Sequence, residues 1–231
     1  MRQIALDIRP AASAVFESFF PGANELAVAT VRRAACGEGP PILWLHGPRQ
    51  VGKSHLLQAA VSAAHQRGAA TAFLPMSQLH GKGAALMEGM EELDLIAFDD
   101  AGQIAGDADW EGALFRLHEA LMARGGRLLF AAVLPPAGSG IRLPDLRSRL
   151  CAAAVFRLET LSDAQRLQAL EARAAWHGFA LPEETGRYLL SRVDRNMGSL
   201  FGLLDRLDRA ALAAQKRLTV PFVRSVLEAD D

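Results

Sequence analysis

The chain has few of the features that mark secreted, membrane-spanning or freestanding DNA-binding proteins. Its two cysteines, Cys36 and Cys151, form neither a disulfide framework nor a metal-binding pattern, which favours a reducing compartment. No apolar run approaches the roughly 18 residues that cross a membrane. The formal net charge is −1, without the basic excess expected of a freestanding DNA-binding protein. These absences favour a soluble, cytoplasmic protein that has no membrane partner and reads no DNA sequence directly.

Hydrophobic residues make up 50% of the chain, which is typical of a globular protein with a sizeable core. Short, continuous apolar runs alternate with helical patterns from residue 40 onwards, as in a parallel α/β sheet covered by helices on both faces. Right-handed crossovers would connect such strands. Five buried strands are predicted: PILWL (41–45), TAFL (71–74), LIAF (95–98), RLLFAAV (127–133) and AVFRL (154–158).

The pattern changes after Leu158 to a purely helical one. LSDAQRLQALEARAAWHG reads as a helix with Ser162 or Asp163 as its N-cap and Gly178 as its stop, and further amphipathic stretches follow. We expect about four helices in this small all-α subdomain, and we expect Trp176, like Trp44 and Trp110, to pack internally. The predicted organisation is an N-terminal peptide (1–10), an α/β subdomain (11–159) and a helical subdomain (160–231).

A phosphate-binding loop lies between the first predicted strand and the helix that follows it. Residues 47–54 match the full G-x-x-x-x-G-K-S pattern. In such a loop backbone N–H groups surround a phosphate, the lysine reaches the β/γ oxygens and the serine binds Mg²⁺. The sequence therefore predicts a site for ADP or ATP with Mg²⁺, formed by Gly47, Pro48, Arg49, Gln50, Val51, Gly52, Lys53, Ser54 and His55.

An acidic pair supplies the second half of this site. Asp99 and Asp100 follow the apolar run LIAF, at the carboxyl end of a predicted strand, where ligands bind in sheets of this kind. Asp99 would hold Mg²⁺ together with Ser54, and Asp100 would orient an attacking water as a catalytic residue.

The phosphate loop and the acidic pair leave three classes of protein open: a small-molecule kinase, a GTPase and an AAA+ ATPase. The AAA+ class also requires a helical lid after the sheet and an arginine just before the last strand, and both have candidates here. In LPDLRSRL three leucines make an apolar face that leaves Arg147 and Arg149 pointing elsewhere. An arginine at that place could stabilise charge on a neighbouring subunit's γ-phosphate; for Arg147 we favour a solvated side chain.

Seven segments resemble the DnaA/Hda family of AAA+ proteins, in the same order and over nearly the whole chain. They resemble the short Hda-type members of the family more closely than the initiators. The chain ends after the predicted lid, where initiators continue into a helix-turn-helix domain, and residues 75–94 are shorter than the initiator-specific insertion. The segments are FESFFPGANELA, GPRQVGKSHLL, LIAFDD, LPDLRSRL, LETLSDAQRLQAL, GFALPEE and LTVPFV.

The resemblance implies a negative regulator of replication initiation. Such a protein binds ADP, contacts the AAA+ domain of ATP-bound DnaA and inserts Arg149 as a catalytic finger that speeds hydrolysis in trans. It is an activator of another protein's ATPase rather than an enzyme itself, and a homodimer is compatible with the family. Phe19, Pro21 and Asn24 fall where the family packs the adenine and ribose; Phe16 and Phe19 could equally be core anchors.

The first residues resemble the family's clamp-binding peptide, Q-x-x-L-x-L. In QIALDI, Gln3 would hydrogen-bond the rim of a pocket on the β sliding clamp of DNA polymerase III, while Leu6 and Ile8 would fill its apolar groove. An ordinary edge strand is the alternative interpretation of this alternation.

Two departures from the family pattern predict weak hydrolysis by the chain itself. The fourth strand ends in apolar residues before Pro135, where the family has a polar sensor-one residue, and Gly198 stands at the sensor-two arginine position. Little discrimination between ADP and ATP is expected as well. The alternatives left open are a DnaA-like or helicase-loader ATPase, a phosphate-loop kinase, and an adaptor in which the nucleotide is only structural.

Overall fold

The computed structural model describes residues 14–193 and 196–228. Two compact units make up these residues, and the chain divides between them after Glu159. The peptide containing Gln3, Leu6 and Ile8 lies outside the described residues. Among the helices that are described, none is both long and apolar enough to span a bilayer.

The first unit contains a five-stranded, fully parallel sheet, which confirms the predicted α/β class. The strands are β1 (Ile42–His46), β2 (Thr71–Pro75), β3 (Leu95–Asp99), β4 (Arg127–Ala132) and β5 (Ala154–Arg157). The strand order is β2-β3-β4-β1-β5, and the three inner strands are buried over nearly their whole length.

The last strand differs from its prediction as a buried strand. Its four residues alternate between half-buried and exposed, and Val155 is 40% exposed. The reason is its place at the edge of the sheet, where it pairs with β1 and with no other described strand. An edge strand is covered less completely than a central one, and its apolar sequence alone does not reveal that position.

Helices cover both faces of the sheet, as predicted. On one face α1 (Glu25–Ala35) and α2 (Lys53–Gln66) pack around a core that contains Leu43 and Leu45. The other face is covered by α3 (Met76–Leu79), α4 (Ala108–Ala123) and α5 (Pro144–Cys151). Short 3₁₀ turns connect these elements at Phe16–Ser18, Gly22–Asn24, His80–Lys82, Ala84–Met87, Met90–Glu92, Ala101–Ile104 and Pro136–Gly138.

The second unit is the predicted all-helical subdomain. Ser162 is the N-cap of its first helix and forms a capping box with Gln165, which decides between the two predicted caps. The unit has its own core, which includes Leu170, Leu189 and Leu204. Its helices are α6 (Asp163–Trp176), α7 (Glu183–Arg192), α8 (Met197–Ala214) and α9 (Val220–Glu228).

Trp176 corrects one packing prediction. Trp44 and Trp110 are buried as expected, but Trp176 is 61% exposed. It is the last residue of α6, and the buried stripe of that helix runs through Leu170 and Ala174 instead. The 3.6-residue period places Trp176 off that stripe. The prediction of internal packing was wrong because it relied on the hydrophobicity of the side chain and not on its position along the helix.

Candidate functional site

The phosphate loop connects β1 to α2, as the sequence predicts, and two of its glycines are required by its geometry. Gly47 has φ 140°, and a Cβ there would stand 2.7 Å from the carbonyl oxygen of Leu158. Gly52 has φ 101°, and its Cβ would stand 2.6 Å from Cε2 of Phe19. Both positions combine a left-handed backbone with a close neighbour, so only glycine fits.

Lys53, the first residue of α2, is held inside this loop. Its Nζ donates hydrogen bonds to the carbonyl oxygens of Gly47 (2.9 Å) and Pro48 (2.6 Å). Desolvation lowers the pKa of Lys53, and the nearby carboxylates of Asp99 and Asp100 oppose that shift. A phosphate bound in the loop would compete with these two carbonyl oxygens for the Lys53 ammonium. Because a hydrogen bond between two charged groups is stronger than one to a neutral carbonyl, Lys53 would bind the phosphate in preference.

The predicted magnesium residues lie within hydrogen-bonding reach of one another. Asp99 ends β3, and burial raises its pKa, while a hydrogen bond from the Ser54 side chain is the main opposing influence. Asp100 follows in a left-handed conformation (φ 52°) with an exposed side chain, and its N–H donates to Asp99 Oδ1 at 3.1 Å. A hydroxyl beside a buried carboxylate is an oxygen donor set that fits Mg²⁺.

The segment before α1 lies against the phosphate loop, but its residues take different roles. Phe19 packs on Gly52, and its ring centroid is 5.4 Å from that of His55. His55 Nε2 lies 2.9 Å from the carbonyl oxygen of Val15, so its side chain holds this segment. Phe16 is buried in the core, as the alternative interpretation had it.

The side chain of Asn24, predicted to contact adenine or ribose, is bonded to the backbone of Glu159, and the nucleotide contact stays a prediction. Its Nδ2 donates to the carbonyl oxygen of Glu159 (3.0 Å), and its Oδ1 accepts from the Glu159 N–H (2.7 Å). The side-chain amide is buried and both of its ends are engaged. Asn24 thus ties the start of α1 to the chain after β5, whereas Pro21 remains half-buried beside it.

The end of β4 lacks a polar side chain near the phosphate loop. The N–H of Gly47 donates to the carbonyl oxygen of Val133 at 3.2 Å, and Trp44 Nε1 donates to that of Leu134 at 2.9 Å. These bonds attach the strand end to β1, while the side chains of Val133 and Leu134 are about half exposed and apolar. Neither can hold a water or contact a γ-phosphate by hydrogen bonding. In the second unit Gly198, at the sensor-two position, has no side chain that could contact a phosphate.

Arg149, in the last turn of α5, is held against α4. Its Nε donates to Glu119 Oε1 at 2.6 Å, and its guanidinium lies 4.8 Å from the centroid of the Phe115 ring. Nη1 makes a longer bond, 3.3 Å, to the carbonyl oxygen of Asp145. The hydrogen bond from Arg149 is the main cause of a lowered pKa at Glu119, and it raises the pKa of Arg149. Arg149 stays 35% exposed.

Arg147 is the less constrained arginine of this helix. It is exposed, and Nη2 reaches the carbonyl oxygen of Ala137 only at 3.4 Å. Of the two predicted candidates, Arg149 is therefore the one with a fixed guanidinium.

Three residues of α4 were missed by the sequence analysis: Phe115 and Glu119, which hold Arg149, and Glu111, which is buried beneath the start of α5. The helical period identified the apolar stripe of α4 but assigned no partner to its polar residues. Arg142, Leu143 and Arg149, which bond to these glutamates, lie 30 to 32 residues further along the chain, so no local pattern points to them.

Comparison with known proteins identifies the second unit. Residues 163–227 match the family model described as "Hda, lid domain". This matched segment covers α6 to α9 almost completely.

Comparison with solved structures identifies the fold of the chain. Domain III of the replication initiation protein DnaA from Thermotoga maritima is 20% identical, with a TM-score of 0.77, over 95% of this chain and 97% of that one. AMPPCP-bound DnaA from Aquifex aeolicus is 22% identical, with a TM-score of 0.71, over 85% and 66%. The T. maritima RuvB Holliday junction branch migration motor is 16% identical, with a TM-score of 0.65, over 93% and 73%.

A parallel sheet that carries a phosphate loop, followed by a helical unit, is also the architecture of DnaA domain III, so the chain shares that fold. The second unit is therefore similar to the Hda lid domain, and the fold of the chain is similar to that of DnaA domain III.

Proposed function

We propose that this chain is a nucleotide-bound regulator that docks on the β sliding clamp and stimulates hydrolysis of DnaA-bound ATP in trans, thereby restraining replication initiation. The observation that carries the proposal is Arg149, whose guanidinium is fixed by Glu119 and Phe115 yet partly exposed. The Hda-type lid supports the choice of DnaA as the partner.

The geometry of Arg149 suits a finger. Glu119 engages the Nε edge, and the side chain remains partly exposed, so the guanidinium can meet a phosphate as a pre-oriented group. Arginine offers five donors in a planar fork that matches phosphate oxygens. Inserted into a partner's nucleotide site, it would stabilise the charge that develops on the transferred γ-phosphoryl group. DnaA is left bound to ADP, and this chain is unchanged.

The nucleotide of the chain itself serves structure and regulation in this proposal. AMPPCP binds the A. aeolicus relative, and here the residues from Gly47 to Ser54 supply the phosphate cradle, with Asp99 and Ser54 holding Mg²⁺. The metal would neutralise phosphate charge, and the residues of the chain position it. The apolar end of β4 gives no group that orients an attacking water.

We therefore expect the purified chain to bind ADP and ATP with similar affinity and to turn ATP over no faster than its Lys53→Ala variant. Slow turnover is expected because the side chains of Val133 and Leu134 are apolar where hydrolysis needs a polar group. Similar affinities are expected because Gly198 has no side chain that could distinguish ATP from ADP. Calorimetry with both nucleotides and a phosphate-release assay measure these two properties. Brisk turnover without partners would favour the DnaA-like or helicase-loader ATPase.

Clamp docking rests on the peptide QIALDI. The double change Leu6→Ala/Ile8→Ala removes two apolar anchors, and we expect clamp binding to weaken about 100-fold or more. Surface plasmon resonance with the β clamp from the same organism measures it. Asp7→Asn, between the two anchors, is the matched control and should bind like the parent chain. If the parent chain does not bind the clamp, the clamp-binding interpretation is wrong and the peptide is better interpreted as an edge strand.

A further inference from the structure

A buried carboxylate lies beneath the start of the helix that carries Arg149. Glu111, in the first part of α4, is only 2% exposed. Its Oε1 accepts hydrogen bonds from the backbone N–H groups of Gly106 (2.7 Å) and Arg142 (3.0 Å). Its Oε2 accepts from those of Arg142 (3.1 Å) and Leu143 (2.7 Å). Each oxygen therefore has two backbone donors, provided by three amides in all.

This arrangement depends on glutamate. A carboxylate so deeply buried is tolerated only when hydrogen bonds replace its hydration, and bonds to an ionised acceptor are the strong ones. Glutamine at this position would keep one carbonyl oxygen but turn an NH₂ group towards backbone N–H groups, leaving donors opposed to donors. Alanine would leave three partly buried backbone N–H groups without these acceptors.

The two loops joined by Glu111 lead to functional elements. The segment that begins after Asp99 and Asp100 reaches Gly106, and Leu143 is the N-cap of α5. α5 has eight residues, and the contacts that link it to α4 and the core lie along its whole length: the Glu111 bonds at its start, the buried side chains of Leu146 and Leu150, and the Arg149–Glu119 pair at its end. Glu111 and Glu119 belong to the same helix, so α4 holds α5 at both ends.

We infer that Glu111 is a positioning residue for Arg149: its carboxylate fixes where α5 begins relative to α4, and so where the guanidinium stands when a partner's nucleotide arrives. The inference rests on the proposed function. Glu111 itself touches neither nucleotide nor partner in this account.

The test measures stimulation of DnaA ATP hydrolysis against the concentration of the chain, for the parent and for Glu111→Gln, on DNA-loaded clamps well below the melting temperature. A misplaced finger lowers the plateau rate, because each complex formed is less active. A partly unfolded sample shifts the half-saturating concentration instead, because fewer molecules are competent. We expect the plateau to fall about 10-fold or more, since small misplacements of a catalytic group are costly, with the half-saturating concentration nearly unchanged.

Val31→Ala is the control for simple destabilisation. Val31 is fully buried in α1, on the opposite face of the sheet from α5. It should lower the melting temperature while leaving the plateau intact. Hydrogen exchange provides a readout besides activity: Glu111→Gln should lose protection around Gly106 and at 142–149, with the phosphate loop and the lid unchanged.

Arg149→Ala separates the two proposals. If it loses stimulation while Glu111→Gln keeps the parent's plateau, the positioning role is wrong and the finger stands. If Arg149→Ala stimulates like the parent, the proposed finger is wrong, and the inference with it. A Glu111→Gln curve that shifts only in half-saturation, as Val31→Ala is expected to do after partial unfolding, would assign Glu111 to stability alone.

Discussion

Replacing Arg149 by alanine should reduce stimulation of DnaA ATP hydrolysis by about 1,000-fold or to background, the range that arginine fingers supply in trans. The chain should still fold and bind ADP, because none of the contacts described for Arg149 involves the phosphate loop. Single-turnover hydrolysis of ATP preloaded on DnaA measures the effect directly, with clamp-loaded DNA present throughout.

Arg147→Ala is the matched control for Arg149→Ala. It removes the same charge from the same helix, but from an exposed side chain with one long hydrogen bond. We expect stimulation close to that of the parent chain. Arg149→Lys should rescue little, because an ammonium cannot replace the planar fork that Glu119 and Phe115 orient. Equal losses from Arg147→Ala and Arg149→Ala would point to a general electrostatic contact rather than a finger.

Replacing Lys53 by alanine should weaken the chain's own affinity for ADP and ATP about 100-fold, as expected from losing charge-assisted hydrogen bonds worth roughly 3 kcal/mol. Lys53 Nζ already lies inside the loop, against the carbonyl oxygens of Gly47 and Pro48. Fluorescent-nucleotide titration measures the affinity. The thermal stabilisation that ADP gives should disappear with it, since ligand stabilisation follows occupancy.

Lys82→Ala provides the comparison for Lys53→Ala. Lys82 is exposed on a short 3₁₀ turn, and removing it lowers the charge by the same amount without touching the phosphate loop. Nucleotide affinity should stay at the parent's value. If Lys53→Ala also kept its affinity, the loop would not be the nucleotide site of this chain.

The phosphate loop and the sheet could be predicted from the sequence because their signals are local. Gly52 and Lys53 follow a strand and open a helix within a dozen residues, and Asp99 follows an apolar run directly. A loop whose backbone N–H groups surround an anion needs glycines at positions with positive φ and a lysine at this spacing. The lid was predicted from caps and helical periods of the same range.

What the sequence did not reveal depends on contacts between distant residues. Nothing in the sequence indicated that the amide of Asn24 binds the backbone of Glu159, 135 residues away. Glu111 lies in a helix whose apolar stripe was recognised, yet its three donors come from two loops that fold around it. The edge position of β5 likewise follows from strand order, which no single strand encodes.

Activation of ATP hydrolysis on DnaA by this chain is the effect to measure first. ATP-loaded DnaA from the same organism is incubated on DNA-loaded clamps with and without the chain, and the ADP formed on DnaA is followed in time. We predict hydrolysis at least about 1,000-fold faster with the parent chain than without it, and no acceleration with Arg149→Ala. An unchanged DnaA hydrolysis rate in the presence of the parent chain, with clamp and nucleotide both bound, would rule out the proposed function.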